Sequence, residues 1–262
     1  MRKMVIDKIK NKWCIAMAVF VAASIGQAGV VASWDFNGGT AGSNIVSATD
    51  FVGGFNATPA GTIPKYVAGN GGGTAAGLVG TGILKAGGSS NVLCAGFTSL
   101  SVAFDVDLNA TPASTAVLVR NGHLKMNFNI YTAANRSIYM QMMDATTSIT
   151  TSVQTVTNVL SSSAGWQHVE AVWDGSSVSI LVGGVAQTLV TGGTSKILTG
   201  LVSLPAPDAD MGIGGLYRNV GTTGQYLNGS IDNLVISGAI PEPASFSLIT
   251  IGYAGIILFR RL

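Results

Sequence analysis

Apolar and polar residues alternate along most of the middle of this chain. Between positions 100 and 108, every second residue is Leu, Val or Phe, and the residues between them are small or acidic. A period of two is typical of a β-strand with one buried face. The same alternation predicts strands at 124–130, 138–142 and 178–182, and Gly183-Gly184 predicts a hairpin turn from the last of these into 185–190.

No sustained helical period interrupts this pattern between the termini, and Gly or Asn recurs about every ten residues, as is typical of an antiparallel sandwich or barrel. Residues 69–90 are the least regular part and contain the glycine clusters 71–73 and 87–88, so we expect loops around one short strand there. The stretch 29–239 has a length that one all-β domain commonly fills.

The N-terminus differs from this middle. A basic segment precedes an apolar run over residues 13–25, and Gly26-Gln27-Ala28 places small residues where signal peptidase cleaves. We therefore expect residues 1–28 to form the helix of a signal peptide that is cut after Ala28. Cleavage after Ala32 is the alternative, although it would remove part of the first predicted strand.

The C-terminal residues 240–262 contain a proline-flanked break, an uncharged apolar run and a basic tip. They resemble the bacterial PEP-CTERM sorting signals: Pro241, Glu242 and Pro243 match the motif, and Arg260 and Arg261 match the tip. The resemblance implies recognition by an exosortase, a transmembrane helix that holds the protein transiently in the inner membrane, and delivery to the cell envelope or release outside. The apolar run gives only about 24 Å of helix, against a hydrocarbon core of about 30 Å.

The net charge of the whole chain is +2, but seven of its 14 Lys and Arg residues lie in the two terminal segments. The predicted domain keeps seven basic and ten acidic residues, a net charge of −3. It has no basic patch that would attract nucleic acid. Cys94 is its only cysteine, which excludes an internal disulfide, and we expect a buried, unreactive thiol.

The last third of the chain contains a series of short motifs, and Ala32 to Phe36 adds one near the start. The motifs are Gly165-Trp166-Gln167-His168-Val169, Val172-Trp173-Asp174-Gly175, Val178 to Val182 with Gly183-Gly184, Met211-Gly212-Ile213-Gly214-Gly215, and Leu227 to Leu234. Their order and spacing resemble the laminin-G-like, concanavalin-A-like family. The resemblance implies an all-β fold, a two-sheet antiparallel jelly-roll sandwich, with functions that range from glycan binding to adhesion to hydrolysis.

Retaining glucanases on that fold carry a Glu-x-Asp-x-x-Glu pattern, because their two carboxyl groups must lie about 5 to 5.5 Å apart. The pattern is absent here, and Glu170 is the only glutamate in the domain. Asp105 and Asp107 share a strand face at a spacing of about 6.6 Å, near the lower edge of the range for the two carboxyl groups of an inverting glycosidase. We interpret them as charges on a solvated face, without the pocket that a general acid needs. The sequence predicts no catalytic residue.

Aromatic and basic residues on Gly-flanked loops near the end of the domain are candidates for glycan contact: Tyr217, Arg218 and Tyr226. Trp166, His168 and Glu170 share one strand face and form a second candidate, in which the indole would stack on a sugar. We favour a structural role for this second set, with His168 in a hydrogen bond within the sheet, because His and Trp are commonly partly buried.

Asp232 is predicted to share a strand face with Leu234 and Ile236, so its charge would need hydrogen-bond donors or a cation. In the resembling family a structural Ca²⁺ often joins the last strand to the loop after the first strand. That implies a site formed by the Asp232 carboxylate and backbone oxygens near Asn37 and Gly38, which are hard ligands. A carboxylate that only accepts backbone N–H bonds is the alternative.

These observations predict an exported, non-enzymatic β-sandwich at the cell envelope or in the extracellular matrix. Its expected role is glycan binding or structural support in exopolysaccharide or biofilm. Exosortase and signal peptidase are its expected processing partners, and an extracellular polysaccharide is its expected ligand. A polysaccharide-active hydrolase or lyase of the same fold is the alternative.

Overall fold

The computed structural model describes residues 29–87, 93–198, 200–218 and 223–240. The predicted signal peptide and the predicted sorting signal, including Pro241 to Pro243 and Arg260-Arg261, lie outside these residues. The described residues between Gly29 and Ala239 pack as one unit. Among the described residues, no helix has the length and apolarity that crossing a membrane requires.

The regular structure of the described residues is entirely β. The strands in chain order are β1 (Gly29–Trp34), β2 (Ala57–Ala60), β3 (Lys65–Ala68), β4 (Thr74–Leu78), β5 (Ile83–Ala86), β6 (Ser99–Leu108), β7 (Ala116–Asn121), β8 (Phe128–Thr132), β9 (Ile138–Met143), β10 (Thr150–Gln154), β11 (Gln167–Trp173), β12 (Ser177–Val182), β13 (Val185–Ala186), β14 (Lys196–Ile197), β15 (Met211–Ile213), β16 (Leu216–Tyr217), β17 (Thr223–Gly224) and β18 (Gly229–Ala239).

Two antiparallel sheets contain nearly all of these strands. The first has nine strands in the order β13-β12-β11-β6-β18-β4-β3, with β1 also paired to β18 and β14 to β12. The second has seven strands in the order β10-β9-β8-β7-β15-β5-β2, and β16 pairs with β17 as a separate ribbon. The predicted fold class, an all-β sandwich of two antiparallel sheets, is therefore confirmed.

β18 is an interior strand of the nine-stranded sheet, with partners along both sides. It pairs with β6 along one side, from Gly229 to Ala239. Along its other side it pairs first with β4 and then with β1, so that Gly29 at the start of β1 lies opposite Gly238 near the end of β18. The first and last strands of the domain are thus direct neighbours.

The side chains between the two sheets form one apolar core. Trp34, Trp173 and Phe104 contribute from the nine-stranded sheet, and Phe128 and Leu84 contribute from the seven-stranded sheet. All five side chains are buried. This core explains the period of two in the sequence, because alternate residues of each strand point into it.

Most predicted strands are present, and two predictions are wrong. Residues 69–90 contain two strands, β4 and β5, which belong to different sheets. The alternation at 124–130 does not begin a strand at Leu124, whose side chain is 72% exposed; β8 starts only at Phe128. The predicted Gly183-Gly184 turn is present with both φ angles positive, but β13 ends after two residues.

Asp144 joins two loops at one end of the seven-stranded sheet. Its Oδ1 accepts hydrogen bonds from the backbone N–H groups of Thr146 and Thr147, at 2.9 and 2.8 Å. Its Oδ2 accepts the backbone N–H of Val202 at 2.8 Å. The bonds from Val202 and Thr147 are the main reason that the pKa of Asp144 falls from 3.8 to about 2, and they outweigh its burial.

Candidate functional site

A row of mostly polar residues crosses the outer face of the seven-stranded sheet, opposite the core. Each member lies directly across from the next on the neighbouring strand. From β2 to β10 the members are Thr58, Lys85, Gly212, Arg120, Asn129, Gln141 and Ser152. With neighbouring strands about 4.8 Å apart, the row is about 29 Å long. It is long enough to follow an extended ligand.

Two tyrosines lie beside this row on the same face. Tyr131 of β8 and Tyr139 of β9 are opposite each other, and their rings stack with centroids 4.5 Å apart at an angle of 8°. Both side chains are half-buried, and burial raises the pKa of Tyr131. The pair is therefore a rigid aromatic group next to polar groups, a combination suited to contact with sugar rings.

Asn129 is the most buried polar member of the row, with 3% of its surface exposed. Its side-chain nitrogen donates to Gln141 Oε1 at 3.1 Å, but its Oδ1 has no hydrogen-bond partner among the described residues. An unpaired buried carbonyl costs about 1 to 3 kcal/mol. A hydroxyl donor that reached Asn129 after a small shift of the side chains around it would recover that energy.

Arg120, opposite Asn129, is held in place by its own turn. Its Nε donates to the carbonyl oxygen of Gly122 at 3.0 Å, and Nη2 donates to the carbonyl of His123. Burial lowers the pKa of Arg120, and the positive charge of Arg218 lowers it further. Burial also lowers the pKa of His123, followed by the charges of Arg218 and Arg120. Arg120 and Arg218 therefore form one cationic neighbourhood, which favours the neutral form of His123.

The segment from Gly214 to Arg218 crosses the row above Gly212. A Cβ on Gly212 would collide with the carbonyl oxygen of Gly215, so only glycine fits at this position of the row. At the end of the segment, the Tyr217 hydroxyl lies 3.5 Å from Lys85 Nζ, which is also 5.2 Å from the centre of the Tyr217 ring. The segment therefore forms a wall at one end of the part of the row that runs from Arg120 to Ser152.

The structure thus brings Tyr217 and Arg218, two of the predicted ligand-contact residues, to this face. The third, Tyr226, is half-buried next to Leu227, whose backbone N–H donates to Gly214 at the start of the wall. Lys85, Arg120, Asn129 and Gln141 were not predicted. The sequence pattern of their strands is that of ordinary half-buried strands. Only the pairing register of the sheet places the four side chains in one row.

A second polar group lies on the outer face of the nine-stranded sheet. Asp232, Asp105 and His168 are opposite one another on β18, β6 and β11. His168 Nδ1 lies 2.7 Å from Asp105 Oδ1, which confirms the predicted hydrogen bond of His168 within the sheet. The imidazole is 48% exposed, whereas the Asp105 side chain is 8% exposed.

The prediction that Asp105 lies on a solvated face is wrong. Its Oδ2 accepts hydrogen bonds from the side-chain amides of Asn70 and Asn233, at 3.0 and 2.8 Å. Burial would raise the pKa of Asp105, but the bonds from Asn233, Asn70 and His168 outweigh it and lower the pKa below 3.8. Asp107, two residues further along β6, is half-buried.

The predicted orientation of Asp232 is also wrong. A β-bulge interrupts the pairing with β6 between Asp232 and Val235, and Asn233 adopts a φ of +49°. The extra residue shifts the alternation, so Asp232 faces away from the core that holds Leu234 and Ile236. Asp232 is nevertheless buried, because the glycine-rich loop at 69–73 covers it: a Cβ on Gly69 would lie 2.8 Å from Asp232 Oδ2.

The three parts of the predicted calcium site have other contacts. Asp232 accepts backbone N–H bonds from Asn70 and Asn233, Asn37 Oδ1 accepts the N–H of Thr74 at 2.7 Å, and Gly38 lies against the Tyr66 hydroxyl. The described residues contain no group of three or more His, Cys, Asp or Glu arranged to hold a metal ion.

The charges around Asp232 nevertheless suit a cation. Burial raises the pKa of Asp232, and the negative charges of Asp105 and Asp35 add to this against the two backbone bonds. Carboxylate and carbonyl oxygens are the ligands that Ca²⁺ prefers. Calcium at Asp232, Asn37 and Gly38 stays a prediction, as does its alternative, a carboxylate satisfied by backbone donors.

No protein-family model matches the sequence, and no curated protein matches it. Solved structures do match. Domain 4 of AbnA, a GH43 extracellular arabinanase from Geobacillus stearothermophilus, in complex with arabinotriose, aligns with a TM-score of 0.58 and 19% identity over 83% of this chain and 96% of that chain. The botulinum neurotoxin serotype G binding domain aligns with a TM-score of 0.55 and 14% identity, over 86% of this chain and 51% of that chain.

The sialidase of Trypanosoma rangeli, in complex with 2,3-difluorosialic acid, also aligns, with a TM-score of 0.53 and 14% identity over 83% of this chain and 31% of that chain. The chain therefore spans nearly all of the arabinanase domain, about half of the toxin binding domain and about a third of the sialidase. Likeness at these identities shows a shared β-sandwich fold.

Proposed function

We propose that this protein binds a glycan on the outer face of the seven-stranded sheet and does not cleave it. The observation that carries the proposal is the row from Arg120 to Ser152. In this row the side-chain oxygen of Asn129, which has no hydrogen-bond partner among the described residues, lies beside a stacked tyrosine pair. Such a face offers hydrogen-bond acceptors and donors to sugar hydroxyls and an aromatic surface to a sugar ring. The structural neighbours add support, because the arabinanase domain holds arabinotriose and a botulinum toxin binding domain of the same fold was solved in complex with SialylT.

A glycan array with the full-length protein, followed by a reducing-sugar release assay on each glycan bound, tests this proposal. We expect binding without release. Tyr139→Ala and Gln141→Ala should each weaken binding about tenfold, the equivalent of about 1.4 kcal/mol. Gln187→Ala is the matched control, because Gln187 is also half-buried but lies beyond β13 of the other sheet. Wild-type affinity in Tyr139→Ala and Gln141→Ala would remove this face as the site.

The proposal includes export. Residues 1–28 would direct secretion with signal peptidase as partner, and residues 240–262 would be recognised by an exosortase that delivers the domain to the envelope or the matrix. The intact mass of the mature protein measures this directly. We expect a mass that lacks residues 1–28 and Phe246 to Leu262, and recovery of the full C-terminus from the envelope would argue against sorting.

A polysaccharide-active hydrolase or lyase is a second candidate, and one observation favours it. Asp105 holds Nδ1 of a half-exposed His168, and a carboxylate that fixes an imidazole in this way is the arrangement of many general bases. Release of reducing ends by the wild type, and its loss in His168→Gln, would replace the binding proposal with this one.

A further inference from the structure

We infer that the bound glycan is acidic, with carboxylate or sulfate groups on its sugars, and that Lys85, Arg120 and Arg218 bind that charge. The inference rests on the proposed function, since it names the ligand class of the same face.

The three cations surround one point of the row. Lys85 and Arg120 both lie directly opposite Gly212, on the strands to either side of β15. Their backbones are therefore about 9.6 Å apart. The segment that crosses above Gly212 ends at Tyr217, which contacts Lys85, and Arg218, whose charge acts on Arg120.

These cations have no ion-pair partner in the part of the chain that the structure describes, where the one ion pair by distance is His168 with Asp105 on the other sheet. Two carboxylates occupy the same region. Asp208 accepts the backbone N–H groups of His123 and Leu124, at 2.6 and 2.9 Å, and Asp210 is buried and interacts with Lys85. The three side-chain cations thus share this region with two carboxylates, and one of these, Asp208, accepts hydrogen bonds from backbone N–H groups.

The opposite outer face carries the opposite charge. Asp105, Asp107, Glu170 and Asp232 lie on β6, β11 and β18 of the nine-stranded sheet, with Lys65 of β3 as the cation in the same rows. The domain as a whole has more acidic than basic residues. An acidic polymer is repelled by such a surface except where cations gather, so charge directs it to the seven-stranded sheet.

The groups beside the cations identify the polymer as a glycan. A guanidinium pairs with a carboxylate or sulfate through two parallel N–H bonds, and Arg120 keeps N–H groups that its turn does not use. Next to it, the amides of Asn129 and Gln141 match sugar hydroxyls, and the Tyr131–Tyr139 pair matches a ring face.

The test is binding of the full-length protein to matched polysaccharides that differ only in charge. Polygalacturonate is compared with its methyl ester for carboxylates, and dextran sulfate with dextran for sulfates, each at low and high salt. We expect at least one acidic polymer to bind about tenfold more tightly than its neutral partner, and salt to weaken that binding. The acidic polymer that binds identifies the charged group.

Matched variants locate the charge. Lys85→Gln and Arg218→Gln should each weaken acidic binding about fivefold, while Lys65→Gln and Arg136→Gln, which remove the same charges elsewhere, should leave it unchanged. Equal binding of acidic and neutral partners would overturn the inference and leave the glycan-binding proposal intact. Equal losses in Lys65→Gln and Lys85→Gln would also overturn it. If the protein binds no glycan in the array or in this panel, both the acidic-ligand inference and the glycan-binding proposal are wrong.

Discussion

Replacing Asp144 by Asn should destabilise the protein near neutral pH but not in acid. The amide has the same shape, but its NH₂ group would face the N–H of Val202 or of Thr147, so two donors would be left pointing at each other. The change of the Asp144 pKa from 3.8 to about 2 corresponds to about 2.4 kcal/mol, at about 1.36 kcal/mol per pKa unit. Because residues 145–148 are exposed and water screens the carboxylate, we expect about 1.5 kcal/mol.

The sign of the pH dependence follows from the direction of the shift. A carboxyl with a lowered folded-state pKa stabilises the protein above its unfolded pKa, near 4, and this contribution is lost as the pH falls through about 2. Urea unfolding of wild type and Asp144→Asn at pH 7, 4 and 2.5 measures the difference, with Asp107→Asn as the control at a half-buried carboxylate. A difference that is the same at pH 7 and pH 2.5 would refute the assignment to the ionised Asp144.

Three further predictions concern other buried groups. Asp105→Asn should lower the free energy of unfolding by about 1 to 2 kcal/mol in urea titrations, since a neutral amide replaces the charged partner of three hydrogen bonds, while Asp107→Asn should change it by less than about 0.5 kcal/mol. Calcium at a hundredfold excess over its Kd should raise stability by about 2.7 kcal/mol, and melts in chelator and in calcium should coincide for Asp232→Asn; coincident wild-type melts would remove the calcium prediction. The Cys94 thiol is buried, which raises its pKa, so it should resist a thiol reagent until denaturant is added, and prompt labelling of the native protein would contradict this.

The strands with one buried face could be predicted from sequence, because their alternation reports burial directly. β6 and β9 follow the predicted pattern. β4 could not be recognised in this way: all five of its residues are buried, and they are small residues except for Leu78, so neither a period of two nor bulk marks it. The strand predicted to begin at Leu124 begins only at Phe128, because Asp208 accepts hydrogen bonds from the backbone N–H groups of His123 and Leu124 and holds them outside the sheet.

The candidate site was less predictable, because it depends on register between distant strands. Tyr217 and Arg218 stood out as large side chains among loop glycines. Asn129 and Gln141 looked like residues of any solvated face, and only the pairing of β7, β8 and β9 makes them neighbours of Arg120. Asp232 shows the same limit, since a single extra residue at Asn233 reverses its face and no local pattern announces a bulge.

The interior position of β18 would have a mechanical consequence if the domain were held at its C-terminal end and bound to a polymer on its face. A pull on Ala239 runs along the axis of β18, so the hydrogen bonds to β6, β4 and β1 are strained side by side rather than opened one after another. Pulling Gly29 away from Gly238 instead would peel β1 from the sheet bond by bond. Since the rate of forced unfolding depends on the barrier to rupture, we expect the domain to resist a pull on the C-terminal end of β18 better than a pull that peels β1 from it.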